Sequence, residues 1–550
     1  MSYSVWETVL AVGAFVLVYW LIIHYLDKRG LLERYNISAH GPLLMIRTMR
    51  GQRLLDTLAR PRGLWRAYAD AGIPLMVLGM LLMTATLLFF DFLLMTNPPA
   101  PTVLNEPRNL LLIPGLNEFI PLGYGLVALF VTLVVHELSH AVLCRVEGIR
   151  VKSMGIITLI LPVGGFAEPD ENQLFEKKEV SGEKAAEKVA SRRERMRILT
   201  AGVMSNFTVA LIAFALFFAS LHAIAPVGYS AMVVDVDEGS PAYNLSIPQE
   251  SIILAVNGIS THNVEDLVEV LAKTPHDTDV QLTVLKEKKV RSYTVPFESD
   301  TVVSTTGLEV QGVVESSPAE SANLSAGMVI TAMDDVPVHN LSDFSRFMLS
   351  TQPTQDVSVE INGTEHYTVQ LVPSPKNSSL GFMGVYYGTS ELASRAMGLS
   401  IAAFPASEYL SSLKALPSEL DKPVSWLILL TLPVMQHLTG SGFSGFSGIL
   451  SDLYQPVGVA SAFGGWWLVI SGILFWIAWV NINVGLFNCL PAVPLDGGHV
   501  FRDILGGVFE RFTSKERAER LAGMVVMALA YTILLSIVLM VVGPGIAVRW

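Results

Sequence analysis

The sequence is poor in cysteine and in charge, and it has no basic stripe. Its two cysteines, Cys144 and Cys489, each sit in or beside an apolar segment. That excludes a disulfide framework, so any part outside the cytoplasm must hold together by packing. Only 16% of residues are charged, too few for an ordinary soluble enzyme. No Lys/Arg stripe follows one face, which argues against a nucleic-acid partner. The net charge of −12 is dispersed over loops.

Apolar residues make up 51% of the chain and are clustered. A helix needs roughly 18 or more apolar residues to cross a bilayer core. Such runs fall near residues 5–25, 74–96, 119–144, 198–225, 464–487 and 522–543, which predicts six spans and a lipid bilayer as surroundings. The run Val424 to Leu438 is shorter and interrupted by Pro433, so it reads as interfacial or re-entrant. The first run is followed by Asp27, Lys28 and Arg29 rather than a small-residue cleavage site, and reads as a retained anchor.

Lys and Arg collect in residues 27–72, 145–152, 177–197 and 502–520, which alternation places on one side, the cytoplasm. Residues 226 to about 460 then fall outside. Their texture changes to short β-type runs, such as Ala231–Val236 and Val357–Ile361, between turn residues. Ser240-Pro241-Ala242 recurs as Ser317-Pro318-Ala319, 77 residues later, and Ile252–Gly258 and His262-Asn263-Val264 recur as Val329–Asp335 and His339-Asn340-Leu341. A Ser-Pro-Ala turn, a strand ending in a tight turn and then a helix resemble a PDZ domain, predicting a tandem pair at 228–300 and 305–375. An unrelated duplicated β-domain is the alternative. Sequons at Asn244, Asn323, Asn340, Asn362 and Asn377 all lie in this outside region.

The chemistry concentrates in His136-Glu137-Leu138-Ser139-His140. Residues i and i+4 share a helix face, so both imidazoles reach one metal ion, and Glu137 meets a metal-bound water as general base. Polar groups at the end of the lipid-like helix Leu126–Val135 are costly unless they face a partner. A buried polar cluster bracing helices is the alternative. A catalytic zinc wants a third ligand and an open position. Asp496 stands out, in the Pro- and Gly-broken segment Asn488-Cys489-Leu490-Pro491-Ala492-Val493-Pro494-Leu495-Asp496-Gly497-Gly498. Cys144 shares the face of His140, but three ligands from successive turns span about 12 Å, too far for one ion. It and Cys489 read as small buried hydrophobes, and His499 as a loop histidine.

A helix-borne His-Glu-x-x-His with a distant Asn-x-x-Pro-x-x-Pro-Leu-Asp-Gly-Gly resembles the site-2 protease family of intramembrane metalloproteases. The resemblance covers residues 119–225 and 464–543. It implies a polytopic α-helical membrane protein with an inserted extracytoplasmic β-rich region, one Zn2+, His136, His140 and Asp496 as ligands, and Glu137 as base. Residues 153–168, with Gly164 and Gly165, resemble the family's membrane-dipping β-loop, which pairs with substrate as an added strand. A simple turn is the alternative for the two glycines. Asn206 matches a family position tied to substrate or site stabilisation, although Val203 stands where members often have Pro. Asn483 and Asn488 either contact substrate backbone or bridge helices.

The resulting layout is 1–96 for two N-terminal spans with a basic loop, and 119–225 and 464–543 for the catalytic core. The PDZ-like pair and an interfacial segment at 390–460 lie between. The function implied is regulated cleavage of transmembrane protein substrates in a prokaryotic plasma membrane, with the site toward the cytoplasm. A metal transporter would want several carboxylates along its path, and a non-catalytic scaffold would need no base.

Overall fold

A computed structural model describes residues 5–41, 43–48, 52–97, 103–110, 112–158, 162–175, 188–275, 278–297, 307–314, 317–325, 327–338, 341–374, 379–387, 392–439 and 442–547. Of the features expected above, Leu161, residues 177–187, His339, Asn340 and Asn377 lie outside these. Contacts divide the chain into two compact units, Met1–Phe217 with Trp426–Ser444 and Gly472–Trp550, and Phe218–Ser425 with Gly445–Ser471.

The first unit is helical. Its longer helices are α1 (Val5–Lys28), α2 (Arg62–Thr96), α3 (Leu122–Glu147), α4 (Arg192–Leu221), α5 (Pro423–Thr439), α6 (Trp466–Asn488), α7 (Asp496–Phe509) and α8 (Lys515–Ala547), of which α4, α5 and α6 each have one end in the second unit. Among the described residues, α2, α3, α4, α6 and α8 are long and apolar enough to cross a membrane. The 24-residue α1 stands at the first expected span. Pro433 lies inside α5, whose 17 residues are short for a span. α3 begins after Pro121 and stops at Gly148, whose left-handed backbone (φ +74°) turns its amide back onto Arg145 O and Cys144 O. Gly472 of α6 lies against the Tyr124 ring of α3, so the third and fifth expected spans touch.

Four antiparallel strands, β1 (Ile37–His40), β2 (Leu43–Thr48), β3 (Val151–Thr158) and β4 (Pro162–Pro169), form a sheet in that order. The expected β-loop is the β3–β4 hairpin, with Ile156 opposite Gly165 and Ile157 opposite Gly164. β1 and β2 come from the basic segment 27–72, whose short runs lack the alternation that marks a strand; β2 pairs with β3, and β1 with β2. β4 is an outer strand and packs on α3.

Ion pairs tie the helix ends together. Glu147, 1% exposed, accepts from Arg66 of α2 and Arg197 of α4, while Asp70 of α2 accepts from Arg193 and Arg197. Arg195 of α4 grips Asp503 of α7 through two bonds of 3.0 and 2.6 Å. A fork-to-fork pair of this kind fixes orientation as well as distance.

The second unit is mostly sheet. In chain order, apart from the two-residue strands Ile259–Ser260 and Val336–Pro337, its strands are β5 (Ile224–Pro226), β6 (Ala231–Val236), β7 (Ser251–Val256), β8 (Thr278–Lys286), β9 (Lys289–Phe297), β10 (Leu308–Val313), β11 (Val329–Met333), β12 (Asp356–Ile361), β13 (Glu365–Gln370), β14 (Val372–Pro373), β15 (Gly381–Phe382), β16 (Val385–Tyr387), β17 (Leu392–Ala396), β18 (Leu399–Ala403) and β19 (Tyr454–Pro456). One sheet runs β9-β8-β7-β6-β18-β17 and another β13-β12-β11-β10-β16. The internal repeat is visible in both. Ser240 caps the turn Pro241–Asn244 by accepting from Tyr243 N, and Ser317 caps Pro318–Ser321 by accepting from Glu320 N. Each sheet has its own core, one around Val233, Ile253, Leu267 and Val280, the other around Ile330, Phe344, Val357 and Ile361.

The ranges 228–300 and 305–375 leave out strands that each sheet uses. The second sheet takes β16 from 385–387. The first takes β17 and β18 from 392–403, part of the stretch expected to be interfacial, so the second sheet lies within the first along the chain. These returning strands do not repeat at 77 residues, which is why the offset misses them.

Candidate metal centre

His136 and His140, four residues apart on α3, present their rings side by side with centroids 4.6 Å apart. Their Nε2 atoms are 3.1 Å apart. The first residue of α7, Asp496, brings Oδ2 to 3.2 Å from His136 Nε2 and 3.3 Å from His140 Nε2. The three donor atoms lie within 4.8 Å of one another.

The surrounding bonds set the tautomers. His140 Nδ1 donates to Ile198 O at 2.7 Å, which leaves the Nε2 lone pair free. The fully buried Asn206 amide lies 3.2 Å from His136 Nδ1, and its Oδ1 has no partner. With that amide turned so that Oδ1 faces the ring, it accepts from His136 Nδ1–H, and the second Nε2 lone pair joins the first. Asp496 Oδ2 is buried with no hydrogen-bond donor. In that orientation all three atoms would be acceptors, an arrangement that calls for a cation. The edges of 3.1, 3.2 and 3.3 Å fit it. A tetrahedral zinc with bonds of about 2.0 Å has ligand–ligand edges of about 3.3 Å.

Glu137, the residue after His136 on α3, faces the sheet. Its Oε2 accepts from Ala167 N of β4 at 2.7 Å. A cavity of about 170 Å³ opens beside it, lined by Phe130, Leu133, Val134 and Leu138 of α3 and by Met154, Gly155, Ile156, Gly165 and Phe166 of the sheet. Two close approaches shape the site. A Cβ on Gly165 would stand 2.8 Å from Glu137 Cγ, and one on Gly202 of α4 would stand 2.5 Å from His140 Nε2 and 2.6 Å from His136 Cε1.

The structure thus brings His136, His140, Asp496, Glu137, Asn206 and Gly165 together. Gly164 pairs with Ile157 in the hairpin. Asn483 gives its amide to Trp479 O of its own helix at 2.8 Å, and Asn488 closes α6 ahead of the loop to Asp496. Cys144 and Cys489 are buried in separate apolar cores, and His499, on α7 rather than in a loop, lies tilted against Phe175 with centroids 5.4 Å apart. Sequence reasoning missed the Ile198 carbonyl, the space left by Gly202 and the Arg195–Asp503 pair. A detectable signal for Gly202 was its place one turn before Asn206 on the same helix face.

Long apolar helices around a buried His-His-carboxylate group, with a glutamate beside it, define a membrane metallopeptidase. Comparison with known proteins agrees. Residues 124–533 match Peptidase family M50. Regulator of sigma-E protease RseP of Escherichia coli is 23% identical over 429 residues, covering 68% of this chain and 88% of that protein. Regulator of sigma E protease of Haemophilus influenzae is 22% identical over 428 residues, 69% of this chain and 89% of that protein. An uncharacterized protein of Methanocaldococcus jannaschii is 23% identical over 281 residues, 51% of this chain and 68% of its own length. The chain belongs to peptidase family M50, the site-2 proteases, and is a membrane-embedded zinc metalloprotease.

Proposed function

We propose that the protein is an endopeptidase that cuts transmembrane segments of membrane-protein substrates. In this reading His136, His140 and Asp496 hold one zinc and Glu137 is the general base. The observation that carries the reading is the convergence of one ligand atom each from His136, His140 and Asp496, with the neighbouring Glu137 bonded to an outer β-strand. Zinc held there would polarise the scissile carbonyl and lower the pKa of a bound water.

The protein's own groups supply the rest. A substrate helix shields its peptide bonds with its own hydrogen bonds, so a segment must unwind before cleavage. The outer edge of β4 offers an extended segment a strand to pair with, as in β-augmentation. Glu137 takes a proton from the attacking water and delivers it to the leaving amine. Gly164 and Gly165 keep the edge of β4 low beside Glu137. Asn206 and Ile198 hold the imidazoles with Nε2 inward, and Asn483, whose amide is bonded within its own helix, and Asn488 are read as contacts for substrate backbone.

The basic loops support a cytoplasmic depth for the site, and the sheet unit would then stand on the other side of a prokaryotic plasma membrane. The two repeated β units are read as PDZ-like domains that admit substrates already trimmed outside. The test is Glu137→Gln in the full chain with a transmembrane reporter. Cleavage should fall by about 10²–10⁴-fold with zinc retained. Wild-type cleavage by that variant would refute the assignment.

A further inference from the structure

α2 contributes no ligand, base or substrate strand, and it lies ahead of residues 124–533, the part that matches the family. It is nevertheless not an idle anchor. A span that only faced lipid would have no use for buried small residues, yet α2 buries Ala69, Gly72, Met76, Gly79 and Met80. The first four follow at steps of three or four residues, which sets them on one helix face. Small residues on such a face let backbones approach closely.

Polar contacts fasten α2 near both its ends. Toward its start, Asp70 accepts two bonds of 2.7 Å from the Arg197 guanidinium of α4, and the Tyr68 hydroxyl lies 2.7 Å from that of Thr208. Toward its end, Asp91 accepts from Ser536 Oγ of α8 at 2.6 Å. A carboxylate inside an apolar span is costly and marks a place where partners matter. Asp70 and Asp91 are 21 residues apart. Along a helix that is about 32 Å, close to the thickness of a bilayer core. Clamps this far apart hold α2 against sliding along its axis.

Between the clamps, the small residues meet both elements that shape the metal centre. A Cβ on Gly72 would stand 2.3 Å from Cγ of Met204, which lies between Gly202 and Asn206 on α4. One on Gly79 would stand 2.7 Å from Cys489 Sγ and 3.2 Å from Cys489 Cβ. Cys489 is fully buried and packed with Met76, Leu199, Val203 and Val500, so its thiol has little room to turn away. Its backbone abuts the residue after Asp496, since a Cβ on Gly497 would lie 2.4 Å from Cys489 O. The turn between is braced by its own amides, Ala492 N to Leu490 O, Leu495 N to Ala492 O and Gly498 N to Leu495 O. Pressure on Cys489 therefore reaches Asp496 through backbone, with no flexible side chain between.

We propose that Gly79 is a positioning residue for the metal centre. The space it leaves on α2 fixes the place of Cys489, and so the reach of Asp496 toward the two histidines. This rests on the reading of Asp496 as a zinc ligand. Gly79 itself acts only through the turn from Cys489 to Asp496.

The experiment measures zinc affinity of the full chain in detergent by competition with a chromophoric chelator. The visible absorption of the cobalt(II)-substituted chain reports the ligand set. Gly79→Ala should weaken zinc by about tenfold or more, the scale for losing an orienting contact, and should change the cobalt spectrum. Gly63→Ala on the same helix, where an added Cβ meets nothing within 4 Å, should leave both as in the wild type. Cys489→Ala placed in the Gly79→Ala chain removes the atom that the methyl strikes and should restore most of the affinity. In an Asp496→Ala background Gly79→Ala should cost nothing more, because the group it positions is gone. Wild-type affinity and spectrum in Gly79→Ala would overturn the proposal. So would a loss that Cys489→Ala leaves unrepaired, or an equal further loss in the Asp496→Ala background. Zinc absent from the wild type, or indifferent to Asp496→Ala alone, would instead refute the metal reading beneath it.

Discussion

Gly202→Ala tests whether the two imidazoles are held by packing from α4. The added Cβ would lie 2.5 Å from His140 Nε2, 2.6 Å from His136 Cε1 and 2.8 Å from His136 Nδ1, where ordinary contact begins near 3.4 Å. Something must move by about 1 Å, since methyl and imidazole cannot interpenetrate. Both rings have little freedom, because His140 is tied to Ile198 O at 2.7 Å and His136 faces Asn206 at 3.2 Å. Metal bonds tolerate about 0.2 Å, so a shift of that size detaches a ligand or pushes α4 from α3. Zinc affinity should fall by about 10–100-fold, the range for losing an orienting contact, or roughly 1.4–2.7 kcal/mol. Alanine is the better helix former by about 1 kcal/mol, so local propensity works against any loss of stability. The assay is competition with a chromophoric chelator in detergent, beside a thermal melt. Wild-type zinc affinity with wild-type cleavage would refute the packing argument.

Other consequences follow from the helix-end ion pairs. Asp503→Ala leaves the largely buried Arg195 guanidinium without its carboxylate, with only Ala190 O to accept from it, and should destabilise by up to about 3 kcal/mol, seen as a lower melting temperature. Asp503→Leu combined with Arg195→Met should recover most of that loss. Glu510 accepts from Arg192, which holds its carboxyl below the usual glutamate range. The stability from this pair is therefore full above the ordinary glutamate pKa of about 4.3 and lost as pH falls through the lower folded value. Melting curves of Glu510→Gln should lie below wild type at neutral pH and converge with it under acid.

The metal centre was legible because its chemistry is written in residue types that an apolar helix cannot carry idly. His136, Glu137 and His140 share a short helical segment, and Asp496 sits in a segment broken by proline and glycine. Asn206 was found by resemblance, yet its bond to His136 depends on how α4 packs on α3. Gly202 was hidden for the same reason, since an absent side chain leaves no chemical mark until the neighbouring helix is placed. The fold was legible where periodicity is strong. The apolar helices and the repeated Ser-Pro-Ala caps could be read directly. β1 and β2 could not, being short strands joined to the sheet through the pairing of β2 with β3, more than 100 residues away. The nested order of the two sheets was also out of reach, because β17 and β18 return at a spacing the repeat does not share.

The central claim is that two histidines of α3 and the first residue of α7 hold one zinc. Metal analysis of the purified full chain, wild type against Asp496→Ala, tests it most directly, with X-ray absorption reporting the ligands. The wild type should carry one zinc with nitrogen and oxygen neighbours at about 2.0–2.2 Å, and the variant should lose the metal under mild chelation. Retention of stoichiometric zinc by Asp496→Ala, with an unchanged absorption spectrum, would contradict the account.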